Sequence, residues 1–294
     1  MIETNIKKDF LDLFCHIIED YKLDNENKLN LFSLEIKNTL FNMESLLDEL
    51  DDNIIPFMLS RKQLKDMDDK FGGKKSRQAR TKFRQFTSNE GELGEVLLYC
   101  FLESHLNAPK ILSKYELKTS TNDYIKGADG VHLLKKDDST YQLVFGESKL
   151  YGELTKGVYD AFSSITTFLK NKNDTYEEEL INSNLNKEIF DENSYEVIKN
   201  ILLPKRRITN NIDLDNSFAI FLGFNYELIE NLKGNKAREK IKKDIEDIVM
   251  DSISSINFQL NKKNLKGYDF YIYTMPINNI ESTRKEIIKR LTNG

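Results

Sequence analysis

The stretch GADGVHLLKKDDSTYQLVFGESKL, residues 127–150, decides the fold of this protein. Its two apolar runs, 127–136 and 141–150, flank the polar turn KKDDST, a pattern that predicts an antiparallel β-hairpin. A turn centred near Asp138 places residues whose numbers sum to 276 opposite each other. In that register Asp129 faces Glu147, with the two Cβ atoms about 5 Å apart. A shift by one residue would send the two carboxylates to opposite faces, so this prediction depends on the register.

The second strand of this hairpin ends in Gly-Glu-Ser-Lys, which concentrates charge on an otherwise apolar strand. Side chains alternate along a strand, so Glu147 and Lys149 share one face and are partly desolvated there. Two opposed carboxylates destabilise a hairpin, and a divalent cation between Asp129 and Glu147 removes the repulsion. Ligation by oxygen atoms favours Mg²⁺ or Mn²⁺ over zinc. The sequence therefore predicts a metal site beside the Lys149 ammonium.

The elements around the hairpin predict an α/β fold, a mixed sheet flanked by helices. Amphipathic periodicity indicates helices, and runs rich in apolar and β-branched residues indicate strands. The predicted helices cover 89–106, 153–170, 234–256 and 281–291, and further strands cover 110–118, 217–227 and 268–277. The run 217–227 is apolar throughout, which is typical of a central buried strand.

The helix over 89–106 offers a third acidic ligand. Glu95 lies at the edge of the apolar stripe that packs on the sheet, and from there it could complete the metal site. Glu92, one turn earlier, is a less favoured substitute. The alternative is that Glu95 faces solvent on a helix rich in acids.

The region before this core, residues 1–86, is predicted to be helical. Phe10, Phe14 and Ile18 follow a helical spacing, and a looser pattern runs from Leu31 to Leu47. We therefore divide the chain into an N-terminal helical region, 1–86, and a catalytic domain, 87–294. A polar stretch near 171–210 is interpreted as an insertion in the second domain.

Composition at first argues against a nucleic-acid protein, since the net charge is −5 over 294 residues. The charge is polarised, however, because residues 1–53 carry a balance of −8 and residues 61–84 one of +7. The basic segment 61–86 is either a solvated charged loop or a segment that contacts phosphates. The candidate DNA-binding residues are Lys74, Lys75, Arg77, Arg80, Lys82 and Arg84, with Lys156 on a later helix.

Several classes of protein are excluded by simple counts. Two cysteines form neither a disulfide framework nor a zinc site, and the three histidines are scattered. No apolar run is long enough to cross a membrane, and the N-terminus lacks the apolar segment of a secretion signal. We therefore expect a cytoplasmic protein that makes no membrane contact.

The ordered motifs GELGE, GADGVH and VFGESKLYG resemble the HamA nuclease subunits of the Hachiman anti-phage defence system, within the PD-(D/E)xK nucleases. The matched motifs cover about residues 90–165. The resemblance implies a restriction-endonuclease-like sheet. It also implies that Asp129 and Glu147 ligate Mg²⁺ and that the backbone carbonyl of Ser148 adds a ligand. Lys149 would orient the attacking water or help to deprotonate it.

The same resemblance implies the biological setting. The expected function is hydrolysis of DNA phosphodiester bonds by a defence effector under the control of a superfamily 2 helicase subunit. Two alternatives stay open. One is a stand-alone restriction-type endonuclease, and the other is a catalytically silent DNA-binding scaffold subunit.

Overall fold

The computed structural model describes residues 2–37, 40–67, 72–86, 91–113, 127–170, 192–227 and 234–293. In these ranges, seven strands form one mixed sheet and helices cover both of its faces. No helix among them is both long enough and apolar enough to span a bilayer. The predicted α/β class, a mixed sheet flanked by helices, is thus confirmed.

The elements follow one another along the chain in this order. A 3₁₀ turn at Lys8–Leu13 precedes β1 (Phe14–Lys22), β2 (Lys28–Leu34) and a small hairpin of β3 (Ile36–Lys37) and β4 (Leu40–Phe41). Four helices come next, α1 (Met43–Met58), α2 (Arg61–Asp66), α3 (Gly72–Phe86) and α4 (Glu92–Ser104). The core hairpin and its flanks are β5 (Lys110–Ser113), β6 (Gly130–Lys135), β7 (Thr140–Tyr151) and α5 (Leu154–Lys170). The remainder is α6 (Glu192–Leu202), α7 (Pro204–Asn210), β8 (Asp213–Asn225), α8 (Gly234–Lys262), β9 (Asp269–Ile277) and α9 (Ile280–Asn293).

The strand order in the sheet is β1-β2-β9-β8-β7-β6-β5. The three contacts among β2, β9, β8 and β7 are parallel, and the outer pairs are antiparallel. The apolar run predicted as a central strand is β8, which is flanked on both sides and buried from Ser217 to Phe224. A parallel strand buried on both faces reads as a continuous apolar run, as this one does.

The predicted hairpin register is confirmed over the paired residues of β6 and β7. Val131 pairs with Phe145 and Lys135 with Tyr141, so every pair sums to 276. The predicted strand over 110–118 is confirmed where it is described, as β5, and its remainder lies outside the described residues. Residues 171–191 of the polar insertion lie outside the described residues as well.

The predicted helices over 10–18 and from Leu31 to Leu40 are wrong. Phe10 and Phe14 do contact each other, with ring centroids 5.3 Å apart, but one lies in the 3₁₀ turn and the other starts β1. β2 is buried at six consecutive positions and pairs with β1 and β9, so hydrogen bonding within the sheet overrides a helical spacing of leucines. Helix is confirmed in the N-terminal region only from Met43 onward. The division of the chain at residue 86 stays a prediction, although strands from both sides of it share one sheet.

Helix α4 and helix α5 pack on opposite faces of the sheet, and this arrangement positions the candidate site. On one face, the ring of Phe101 in α4 stacks on Phe221 of β8. On the other face, Phe168 of α5 contacts Phe145 of β7. All thirteen residues of α4 are buried, because the N-terminal segment, α1 and α9 cover the side of the helix that faces away from the sheet.

Candidate active site

The candidate site lies where β7 leaves the core. Glu147 and Lys149 occupy the face that α5 covers, as the predicted alternation requires. Lys149 Nζ lies 2.6 Å from Glu147 Oε1, and their side chains are 22% and 8% exposed. The ammonium and the carboxylate therefore form a largely desolvated ion pair, in which each charge interacts more strongly than it would in water.

Asp129 reaches the same strand end in a way that the hairpin pattern does not predict. Its residue lies in a bend just before β6, and its backbone N–H bonds to the Gly146 carbonyl at 2.8 Å. The side-chain Oδ2 accepts from the backbone N–H of Ser148 at 2.6 Å and from its hydroxyl at 2.8 Å. The carboxylate thus accepts the Ser148 N–H in the position where a backbone carbonyl of the neighbouring strand would do so. The regular pairing of β6 with β7 ends at Val131 and Phe145.

The three charges act on one another. Burial and the nearby charge of Asp129 raise the pKa of Glu147 to about 7, although Lys149 and a hydrogen bond from Ser164 act in the opposite direction. Burial lowers the pKa of Lys149, but the Glu147 and Asp129 carboxylates outweigh this effect and raise it. Lys149 is therefore a cation at neutral pH, and two carboxyl groups lie near this one cation.

We expect the stability of the metal-free protein to reflect this crowding. The pKa of Glu147 is higher in the folded state, about 7, than its ordinary value of 4.5. The folded state then binds more protons between these values, so the free energy of unfolding falls as pH rises from about 4.5 to about 7. Glu147→Gln is neutral throughout, and above pH 7 it should be more stable than the parent by on the order of 1 kcal/mol. Urea unfolding in EDTA at pH 5 to 8 measures the free energy of unfolding of the parent and of the variant. If the two free energies changed with pH in the same way, the expectation would be contradicted.

Glu95 is buried, at 5% exposure, so the alternative of a solvent-facing residue is wrong. It lines a cavity of about 10 Å³, roughly the space of one water, between α4 and the sheet, together with Asp129 and His132. Glu147 and Lys149 lie on the other face of β7. Within the described ranges, no group of three or more Asp, Glu, His or Cys side chains is placed to hold a metal ion. Glu95 as a metal ligand stays a prediction, as does Glu92, which is also buried.

An open groove of about 470 Å³ borders the ion pair on the α5 side. Lys149 and Tyr151 form its β7 wall, and Ser163, Ser164 and Thr167 line it from α5. Lys149 is therefore open to solvent through this groove. Ser164 and the hydroxyl of Ser148 were not singled out by sequence reasoning, because a lone serine carries no spacing signal.

The predicted DNA-binding residues divide into two groups. On α3, Lys74 and Arg77 are exposed, and Lys156 is exposed on α5 with its Nζ 4.8 Å from the Tyr151 ring centroid. Arg80 instead pairs with Asp51 at 3.3 Å and donates to the Arg290 carbonyl at 2.8 Å. Two further cations are engaged within the chain: Lys82 donates to the Gln63 side chain and Arg84 to the Thr292 carbonyl.

Comparison with known protein families places this chain with one of them. The model of the HamA family matches residues 8–291, which is nearly the whole chain. No curated protein and no solved structure gives a significant match.

Proposed function

The chain belongs to the HamA family, a component of the Hachiman anti-phage defence system, and from this premise we propose that it is a metal-dependent DNA nuclease. One observation carries the proposal. A desolvated Glu147–Lys149 pair and the Asp129 carboxylate meet at one strand end beside an open groove. Structural ion pairs do not need an acidic neighbour that raises the pKa of the carboxylate, whereas catalytic sites often contain such crowded charges.

The donor set at this strand end fits Mg²⁺ or Mn²⁺. Mg²⁺ is commonly held by one or two carboxylates, with waters and substrate phosphates completing its shell, so a cluster of three side chains is not required. Asp129 and Glu147 would hold the ion, with the Ser148 carbonyl as a further oxygen donor. When bound, the ion would lower the pKa of a coordinated water and neutralise negative charge on the phosphate.

Lys149 has a role that follows from its charge. As a cation in a desolvated site, it stabilises the negative charge that develops on the phosphate during hydrolysis. A protonated ammonium does not accept a proton, so we assign Lys149 to electrostatic stabilisation and to orienting the attacking water rather than to general-base catalysis.

The first test is cleavage itself. The purified chain, alone and with a superfamily 2 helicase partner, should nick supercoiled plasmid in Mg²⁺ and not in EDTA. Cleavage that needs the helicase would support the controlled effector, and cleavage by the chain alone would favour a stand-alone endonuclease. DNA binding without cleavage under either condition would support the alternative of a catalytically silent scaffold subunit.

The exposed and engaged cations of α3 should behave differently. Lys74→Ala with Arg77→Ala should weaken DNA binding and reduce the slope of log K against log salt by about 1 per cation, with unfolding unchanged. Arg80→Ala should instead cost about 1–3 kcal/mol of stability, because it removes one of the two arginines paired with Asp51 and the donor to the Arg290 carbonyl. Salt titrations of DNA binding and urea unfolding separate the two effects. An unchanged salt slope in the double variant would remove α3 from the DNA interface.

A further inference from the structure

A serine lies beside each of the two candidate ligand carboxylates. Ser148 donates both its backbone N–H and its hydroxyl to the same oxygen of Asp129, at 2.6 and 2.8 Å. Two donors on one oxygen fix the position of the carboxylate and leave it little rotational freedom. The bond therefore holds Asp129 against the end of β7, even though the regular hairpin pairing has already stopped.

The second contact comes from the opposite side of the sheet. Ser164 of α5 lies close enough to Glu147 for its hydroxyl to lower the pKa of that carboxylate, which also pairs with Lys149. Ser164 and Lys149 line the same open groove. Glu147 is thus held between a neutral donor on the helix and a cation on its own strand.

The packing around Ser148 leaves room for a hydroxyl and little more. A Cβ atom added at Gly94 of α4 would lie 3.1 Å from both Cβ and Oγ of Ser148. Glycine at this position therefore allows α4 to approach β7 while the serine keeps its bond to Asp129. Ser148 itself is 8% exposed, so its hydroxyl exchanges little with solvent.

We propose that Ser148 and Ser164 are positioning residues that hold Asp129 and Glu147 in the orientation in which they bind a divalent cation. Two carboxylates at one strand end repel each other, and without a fixed partner each would rotate away from the other. A hydroxyl on each one preorganises the pair before the ion enters. Donors of this kind around a metal ligand commonly change metal affinity by 10–100-fold. The inference rests on the proposed function, since it concerns the same metal site.

The test measures Mn²⁺ binding to the full chain by calorimetry and by electron paramagnetic resonance, independently of DNA cleavage. Ser148→Ala and Ser164→Ala should each raise the Kd for Mn²⁺ by about 10-fold or more, and Ser164→Thr should restore it. Two matched controls should bind as the parent does. Ser217→Ala removes a buried strand hydroxyl on β8, and Thr166→Val removes an α5 hydroxyl that bonds to the Phe162 carbonyl of its own helix.

The outcomes separate the inference from the proposed function. If the parent binds Mn²⁺ and both alanine variants bind equally well, the positioning role is wrong and the metal site stands. If the parent binds no Mn²⁺, the metal site and the positioning role both fall. Ser164 is only half-buried, so its variant stays informative even if Ser148→Ala fails to fold, and thermal unfolding identifies that failure.

Discussion

Glu147→Gln is expected to reduce DNA cleavage by about 10³-fold or more, while the fold survives. The substitution keeps the shape of the side chain but removes the charge that holds a divalent cation and anchors Lys149. Removing one electrostatic group from a catalytic site commonly costs 10²–10³-fold in kcat, and loss of a metal ligand adds to that cost. Plasmid cleavage in Mg²⁺, measured as an initial rate with any required partner present, gives the effect.

Lys149→Met should cause a comparable loss, because it removes the ammonium and keeps most of the apolar stem. The matched control is Glu153→Gln, an exposed acid in the turn between β7 and α5, which should cleave at the parent rate. The two site variants are expected to differ in Mn²⁺ affinity. The Glu147→Gln variant should lose Mn²⁺ binding, and the Lys149→Met variant should retain it. Cleavage at the parent rate by both site variants would refute the proposed active site.

Glu103→Ala is expected to be the most damaging single substitution for stability, at about 3–5 kcal/mol. The Glu103 side chain has no solvent exposure and pairs with Arg61 at 3.4 Å. It also accepts the backbone N–H groups of Ile6 and Lys110, each at 2.9 Å, and that of Asn5. One carboxylate thus joins the N-terminal segment, α2, α4 and β5. Its loss leaves the buried Arg61 guanidinium without its carboxylate partner and three backbone donors unsatisfied.

Urea unfolding measures the loss, and hydrogen exchange locates it. The amides of Asn5 and Ile6 should lose protection first, because both donate to the Glu103 carboxylate. Glu196→Ala is the control, since Glu196 pairs with Arg206 at 2.6 Å but is 47% exposed, and such pairs contribute at most about 1 kcal/mol. A Glu103→Ala variant no less stable than the control would show that this network is not the link between these segments.

The acidic helix α4 illustrates where sequence reasoning stops. Its apolar stripe predicted one buried face and correctly placed the helix on the sheet. The sequence did not predict that every residue of α4 is buried, because that depends on the N-terminal segment, α1 and α9 closing over it. Glu103 therefore looks like a surface acid in the sequence, although it is the acceptor at the centre of a buried network.

The N-terminal strands were missed for a related reason. A spacing of three and four residues between apolar side chains predicts a helix. In the structure β1 pairs with β2, and β2 also pairs with β9, which lies more than 230 residues away in the chain. Local periodicity cannot report a partner at that distance. The basic segment shows the same limit, because only the packing of α3 against α1 and α9 separates the engaged Arg80 from the exposed Lys74 and Arg77.

The sequence by itself determined the hairpin, its register and the shared face of Glu147 and Lys149. These follow from a period of two along each strand and a turn of known length, both of which are local. Only the tertiary structure decided how Asp129 reaches the site. Its carboxylate turns out of the strand pairing to bind Ser148, while α5 brings Ser164 to Glu147 from the other side. Hydrogen bonds between side chains from separate elements depend on how those elements pack, and that packing carries no periodicity in the sequence.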